Sequence, residues 1–182
     1  MIMSKQDLKE YMAADQVALG RHASFTLRDW IFDPIWRYER ILRKLEYYIN
    51  CKGKGNLARM WYWFRLHTLG VKLGFTISPN TFGKGLSIAH YGSIVCSSDM
   101  KVGINCRIHS GVNIGVGRGG EVPIIGDNCY LGPGAKLFGG IVLGDNVKVG
   151  ANAVVNKSFP LGNCTLVGAP AQKVVDNNLK DV

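Results

Sequence analysis

The sequence predicts a mainly β protein: a parallel β-helix of about four coils, preceded by an α-helical region. Three observations carry this. From residue 76 onward a large aliphatic or aromatic residue recurs at six-residue intervals. Glycine often follows that residue, and the chain has 23 glycines in 182 residues. Before residue 76 the six-residue period is absent, and apolar residues fall at three- and four-residue spacing instead.

Residues 1–27 show weak helical character and predict no defined element. In "DPIWRYERILRKLEYYI", Ile35, Tyr38, Ile41, Leu42, Leu45 and Ile49 line one face of an amphipathic helix. Asp33 is its N-cap and Pro34 its first helical residue. "CKGKGN" is a flexible link. "NLARMWYWFRLHTLGVKLG" predicts a second helix, capped by Asn56 and ending near Gly70. The aromatic residues of this half are expected to pack on the end of the β-helix and shield its first coil. Its basic residues, Arg37, Arg40, Arg43, Lys44, Lys52, Lys54, Arg59 and Arg65, are expected to form a solvated face. The competing expectation is a peripheral contact with an anionic membrane surface.

The repeat proper begins with Phe82, Ile88 and Ile94 and restarts at Val102, Ile108 and Ile114. It then runs through Ile125, Leu131, Leu137, Leu143, Val149 and Val155 without a slip. Each hexad predicts a short strand and a turn. The large residue points inward and stacks on its counterpart one coil away, so Cys106 and Cys129, two positions earlier, become interior packing residues. Ile114 and Ile125 lie eleven residues apart, so a loop containing "VGRGGEVP" must leave the coil. The boundaries that follow are a helical region at 1–75, the repeat at 76–175 and a tail at 176–182.

"FGKGLSIAHYGSIV", "CRIHSGVNIG", "VPIIGDNCYLGPGAKLFGGIVLGDNVKVGANAVV" and "VGAPAQKV" resemble the hexapeptide-repeat acyltransferases. Within them, "AHYGSIV" is similar to the serine acetyltransferase-like branch, which includes sugar and polysaccharide O-acetyltransferases. The resemblance covers about residues 76 to 175. It implies a left-handed coil, a homotrimer, acetyl-CoA as acyl donor in a groove between two subunits, and one catalytic histidine. Acetyl transfer to an alcohol needs a base near neutral pKa, and His90 is the residue that fits. His109, nineteen residues on, is either an exterior or seam residue or a support for the acceptor pocket. The motif positions place Pro133, Gly150 and Ala151 along the pantetheine arm, with Lys157 and Lys173 toward the phosphates or else solvated.

Some positions depart from the serine enzymes. The aspartate that orients the histidine in the resembled family has no counterpart in "GFTISPNTFG". Ala89 stands where the family has a second aspartate. Glu121 and Val122 stand where it has an Arg-His pair. Glu121 and His109 are therefore the candidate acceptor contacts, and a small-molecule or lipid-linked sugar, as in capsule or other polysaccharide biosynthesis, is the expected acceptor. Serine is the alternative.

Composition narrows the other classes. The formal charge of +9 favours anionic partners, but no nucleic-acid-binding module is present. Five scattered cysteines form no CxxC pair, and no third histidine joins His90 and His109 in the repeat, so no metal is expected. A non-enzymatic β-helix scaffold is the remaining rival. No apolar run reaches about 18 residues and the start lacks signal-peptide order, so the expected location is the cytoplasm, with membrane association as the variant.

Overall fold

The computed structural model describes residues 1–22, 24–53 and 55–176. Lys54 and the tail from residue 177 lie outside the described residues. Four helices come first: α1 (Lys5–Ala18), α2 (Leu27–Phe32), α3 (Pro34–Cys51) and α4 (Leu57–Leu73). The first two were not expected. Each starts where a hydroxyl side chain accepts from the backbone N–H of an aspartate three residues on: Ser4 from Asp7, and Thr26 from Asp29. Helix α3 starts as predicted, with the Asp33 side chain accepting from Trp36 N–H and Pro34 at the first turn. Helix α4 starts at Asn56 but does not end near Gly70; it runs to Leu73 and stops at Gly74, whose φ is 78°. Gly70 serves close approach instead, since a Cβ there would lie 2.8 Å from the Phe75 carbonyl oxygen.

Fourteen short strands follow. They are β1 (Phe75–Thr76), β2 (Ser87–Ile88), β3 (Ile94–Cys96), β4 (Lys101–Val102), β5 (Arg107–Ile108), β6 (Asn113–Gly115) and β7 (Ile124–Ile125), then β8 (Tyr130–Leu131), β9 (Lys136–Phe138), β10 (Val142–Leu143), β11 (Lys148–Val149), β12 (Val154–Val155), β13 (Cys164–Val167) and β14 (Gln172–Asp176). They form three sheets, ordered β1-β3-β6-β9-β12, β4-β7-β10 and β2-β5-β8-β11-β13-β14. All pairs are parallel except β13 with β14. The chain visits the three sheets in turn, which makes a three-sided, left-handed β-helix. Its first sheet has five rungs, where the sequence suggested about four coils, because β1 already forms a rung.

The predicted inward residues stack in register, Ile88 on Ile108, Ile108 on Leu131 and Leu131 on Val149, and the column continues onto Leu166. All five are buried. One assignment is corrected. Ile114 pairs with Cys96, not Ile94, and Ile94 pairs with Phe75. Both Ile94 and Cys96 are buried, and inward residues two apart share one face of a strand, so a six-residue count alone accepts either. The two-residue insertion therefore falls between Ile88 and Cys96, in the turn that carries His90, and not after Ile94.

The two open ends of the coil are closed differently. At the far end, β14 folds back antiparallel on β13. At the near end, buried charged and polar side chains of the helices satisfy the first coil's backbone. Asp15 accepts from Gly85 N–H and Leu86 N–H at 2.8 and 2.9 Å. Glu46 accepts from Asn80 N–H at 2.8 Å, and Glu39 from Ile88 N–H at 3.0 Å. Arg43 donates to the carbonyls of Phe82 and Gly83 while paired with Asp15 at 2.7 Å and Glu46 at 3.0 Å. So Arg43 is no part of a solvated face. The aromatic expectation also holds only in part: Trp36, Tyr38 and Tyr47 are buried, whereas Trp61, Trp63 and Phe64 are exposed.

Candidate active site

The turns joining the third sheet to the first form one corner of the triangular coil. Rung by rung, that corner holds Ala89–Ser93, His109–Val112, Gly132–Ala135 and Gly150–Ala153. Backbone hydrogen bonds tie the levels together. Ala89 N–H donates to Ile108 C=O at 3.0 Å, His109 N–H to Leu131 C=O at 3.1 Å, Gly132 N–H to Val149 C=O at 2.8 Å and Gly150 N–H to Leu166 C=O at 2.8 Å.

His90 sits in the expanded first turn, and its side chain is exposed. The extra residues push the turn outward, and two contacts from the end of α4 hold it. Gly92 N–H donates to Leu73 C=O at 2.9 Å, and Ile94 N–H to Gly74 C=O at 2.9 Å. The packing is close: a Cβ on Gly74 would lie 3.1 Å from the Gly92 carbonyl carbon. Gly92 has φ 129°, so a side chain there would also strain the turn. The helical region thus sets the position of the His90 turn. Among the described residues, no ion pair joins His90 to a carboxylate.

His109 lies below it, with ring centroids 6.1 Å apart. Its other face meets Tyr130 at 5.0 Å. Burial first, then the nearby Arg107 guanidinium and His90, pull its pKa down, so it is neutral near pH 7. Its Nε2 is buried and has no hydrogen-bond partner. A buried imidazole nitrogen left open costs free energy that a bound polar group would recover. An open groove of about 490 Å³ starts from Ser93 and Val95 and runs along α4 past His67 and Trp63.

Pro133, Gly150 and Ala151 continue the same corner one and two rungs beyond His109. Pro133 and Ala151 are exposed, and their small size leaves a flat wall. The other candidates lie elsewhere. Glu121 is in the extruded loop between β6 and β7, at a different corner. Its carboxylate folds over Gly117 and Gly119 of its own loop, whose added Cβ atoms would lie 2.6 and 2.4 Å from it. Lys157 follows β12 on that same second corner and donates to Gln172 Oε1 at 3.0 Å. Lys173 lies on β14, exposed. Within one chain, then, His90, His109, Pro133, Gly150 and Ala151 share one corner, Glu121 and Lys157 lie at another, and Lys173 sits beside Leu166, which stacks on Val149.

Sequence reasoning missed Asp15, Glu39 and Glu46, which hold the coil under the His90 turn. Only an amphipathic pattern interrupted by acids on its buried side could have pointed to them. No group of three His, Cys, Asp or Glu residues able to hold a metal is present among the described residues. Burial raises the thiols of Cys96 to about 12 and Cys129 to about 11, as suits packing residues.

This arrangement is that of a β-helical acyltransferase, and known proteins agree. Residues 123–157 match the family model described as bacterial transferase hexapeptide (six repeats). A serine acetyltransferase of Helicobacter pylori is 33% identical over 142 residues, covering 76% of this chain and 77% of its own length. One from Staphylococcus aureus is 37% identical over 111 residues, but the chain spans only 52% of it. Among solved structures, a serine acetyltransferase from Brucella abortus superposes with a TM-score of 0.75 over 94% of this chain and 70% of its own, at 23% identity. The Neisseria gonorrhoeae serine acetyltransferase in complex with serine gives 0.74 over 94% and 71%, at 24% identity. The chain belongs to the bacterial hexapeptide-repeat transferases, in their serine acetyltransferase-like branch, and is an acyltransferase.

Proposed function

We propose that the protein transfers an acetyl group from acetyl-CoA to a hydroxyl, with His90 as general base. The observation that carries this is the exposed imidazole in an expanded turn, held by the end of α4 on one side and followed along the same corner by a wall of small residues. His90 takes the acceptor hydroxyl proton as its oxygen attacks the thioester carbonyl. The C–S bond then breaks, and the departing thiolate takes the proton back from His90. The open Nε2 of His109 suits an acceptor hydroxyl or the carbonyl at the same place. Pro133, Gly150 and Ala151 lie where an extended donor arm would run, and a neighbouring solved structure is a serine acetyltransferase complexed with CoA.

The relatives support serine as the acceptor better than the sugar first expected from sequence, since those compared carry the name serine acetyltransferase. Ala89, Glu121 and Val122 favour the second reading, a neutral polyhydroxy acceptor. CoA release measured with L-serine and with simple sugars decides between them. Saturable O-acetylserine formation establishes serine; its absence alongside sugar acetylation establishes the other. We further propose a homotrimer with the His90 corner at a subunit seam, because Glu121 and His90 occupy different corners of one chain and could act on one acceptor only if two chains brought those corners together. Light scattering tests this: a monomeric active species would end it.

A further inference from the structure

Helix α4 presents an unusual outer surface. Leu57, Met60, Trp61, Phe64 and Val71 are all exposed, by 49–80%. The helix carries Arg59, Arg65 and Lys72 and no carboxylate. Where its flank meets α3, a cavity of about 250 Å³ is lined by Arg37, Arg65, Thr68, Leu69 and Lys72. It holds three cations and no acid.

Both guanidiniums are held in place. Their central carbons lie 5.4 Å (Arg37) and 5.0 Å (Arg65) from the centre of the same Trp30 ring, and Arg65 is also 5.0 Å from Trp61. Arg37 donates to the Trp30 carbonyl. Neither arginine pairs with a carboxylate among the described residues. Burial, and then the charge of Arg65, lower the pKa of Arg37, so the pair repels. Aromatic faces thus hold like charges together beside an open cavity. Such a site is stabilised by an anion with several acceptor oxygens, and a phosphate meets two arginine forks well.

We infer that the Arg37–Arg65–Lys72 cavity binds the phosphate of an anionic lipid headgroup, with the apolar face of α4 resting at the bilayer surface. A free phosphate ester would satisfy the cations equally well. It would leave Leu57, Met60, Trp61 and Phe64 in water. A headgroup with acyl chains beside it accounts for both, as interfacial tryptophans flanked by arginines do. The contact is peripheral: no helix among the described residues is long and apolar enough to cross a membrane.

The test is co-sedimentation of the full chain with vesicles of phosphatidylcholine alone or mixed with phosphatidylglycerol. Binding should need phosphatidylglycerol and weaken with salt. Arg37→Gln with Arg65→Gln should weaken it about thirtyfold, as for two basic charges at about 1 kcal/mol each. Those arginines also hold Trp30, so Lys72→Glu, at an exposed position, is the control for folding and should weaken binding about as much. Phe64→Ser should weaken it with the charges intact. Equal binding to both vesicles, or none to phosphatidylglycerol, overturns the inference. So does a thermal shift with glycerol phosphate matching that with vesicles, which would assign a soluble ligand. A change in oligomeric state on Phe64→Ser without vesicle binding would assign the face to a second copy and equally overturn it.

Discussion

The coil and the helical region solve the same problem by opposite means. In the coil, each strand's backbone is satisfied by the next rung, and its core is a column of interchangeable aliphatic residues. In the helical region, backbone groups of the first coil are satisfied by Asp15, Glu39, Arg43 and Glu46, each at one place and in one geometry. Repetition spreads stability over many equivalent contacts, whereas a charged seam concentrates it in a few. The helical region also reaches the proposed site, since the end of α4 holds the His90 turn.

Removing one ion from the seam should do the most harm. Arg43→Ala leaves the buried Asp15 and Glu46 uncompensated and strips donors from Phe82 and Gly83, so a loss of about 3–5 kcal/mol is expected in chemical denaturation. A loss below about 1 kcal/mol would show that the helices hold the coil by apolar packing alone. His90→Ala should separate the regions the other way. Turnover should fall about a hundredfold or more while the melting temperature stays put. A variant with near-normal turnover would remove His90 from the mechanism.

Two glycines sharpen the boundary. Gly74 and Gly20 both have positive φ, at 78° and 65°, so alanine at either should cost about 1–2 kcal/mol. A Cβ on Gly20 meets nothing within 4 Å, whereas one on Gly74 presses on Gly92. Only Gly74→Ala should also lower kcat, through the displaced His90 turn. Equal kcat in both variants would uncouple α4 from catalysis.

The smallest effect concerns Glu39. Burial first, and then Asp15, raise its carboxyl well above the usual range, so the folded state holds it protonated. Its stabilising contribution is complete below the unfolded pKa and is lost as pH rises toward the folded one. Glutamine mimics the protonated form and keeps an acceptor for Ile88 N–H. Glu39→Gln should be close to neutral at acidic pH and gain about 1 kcal/mol over the wild type as pH rises. A stability difference that does not change with pH would mean that Glu39 is ionised in place.

This contrast also explains what was legible. The coil could be read because Leu131, Leu137, Leu143, Val149 and Val155 repeat one local rule. It misled only at Ile94, where two adjacent inward positions are both apolar. His90 stood out as a candidate because an imidazole interrupts a run of small and apolar residues. The seam was not, because Arg43 and Glu46 on an amphipathic helix look the same whether they face water or a partner helix and coil. Asp15 offered still less, since its partners lie 28 and about 70 residues away.

The spacing of the later rungs has a metric consequence. Ile124 to Val142, Tyr130 to Lys148 and Lys136 to Val154 are each eighteen residues apart, one full circuit. Along the third sheet, four rung-to-rung steps, whatever their length in residues, separate the rung beside His90 from the rung of β13. At about 4.8 Å per step, that is a fixed span of about 19 Å. The coil therefore acts as a ruler graduated in whole rungs. Deleting or duplicating one circuit would move its far mark by about 5 Å and leave both closures intact. Any rigid molecule that must touch both marks is thus selected by length in discrete increments.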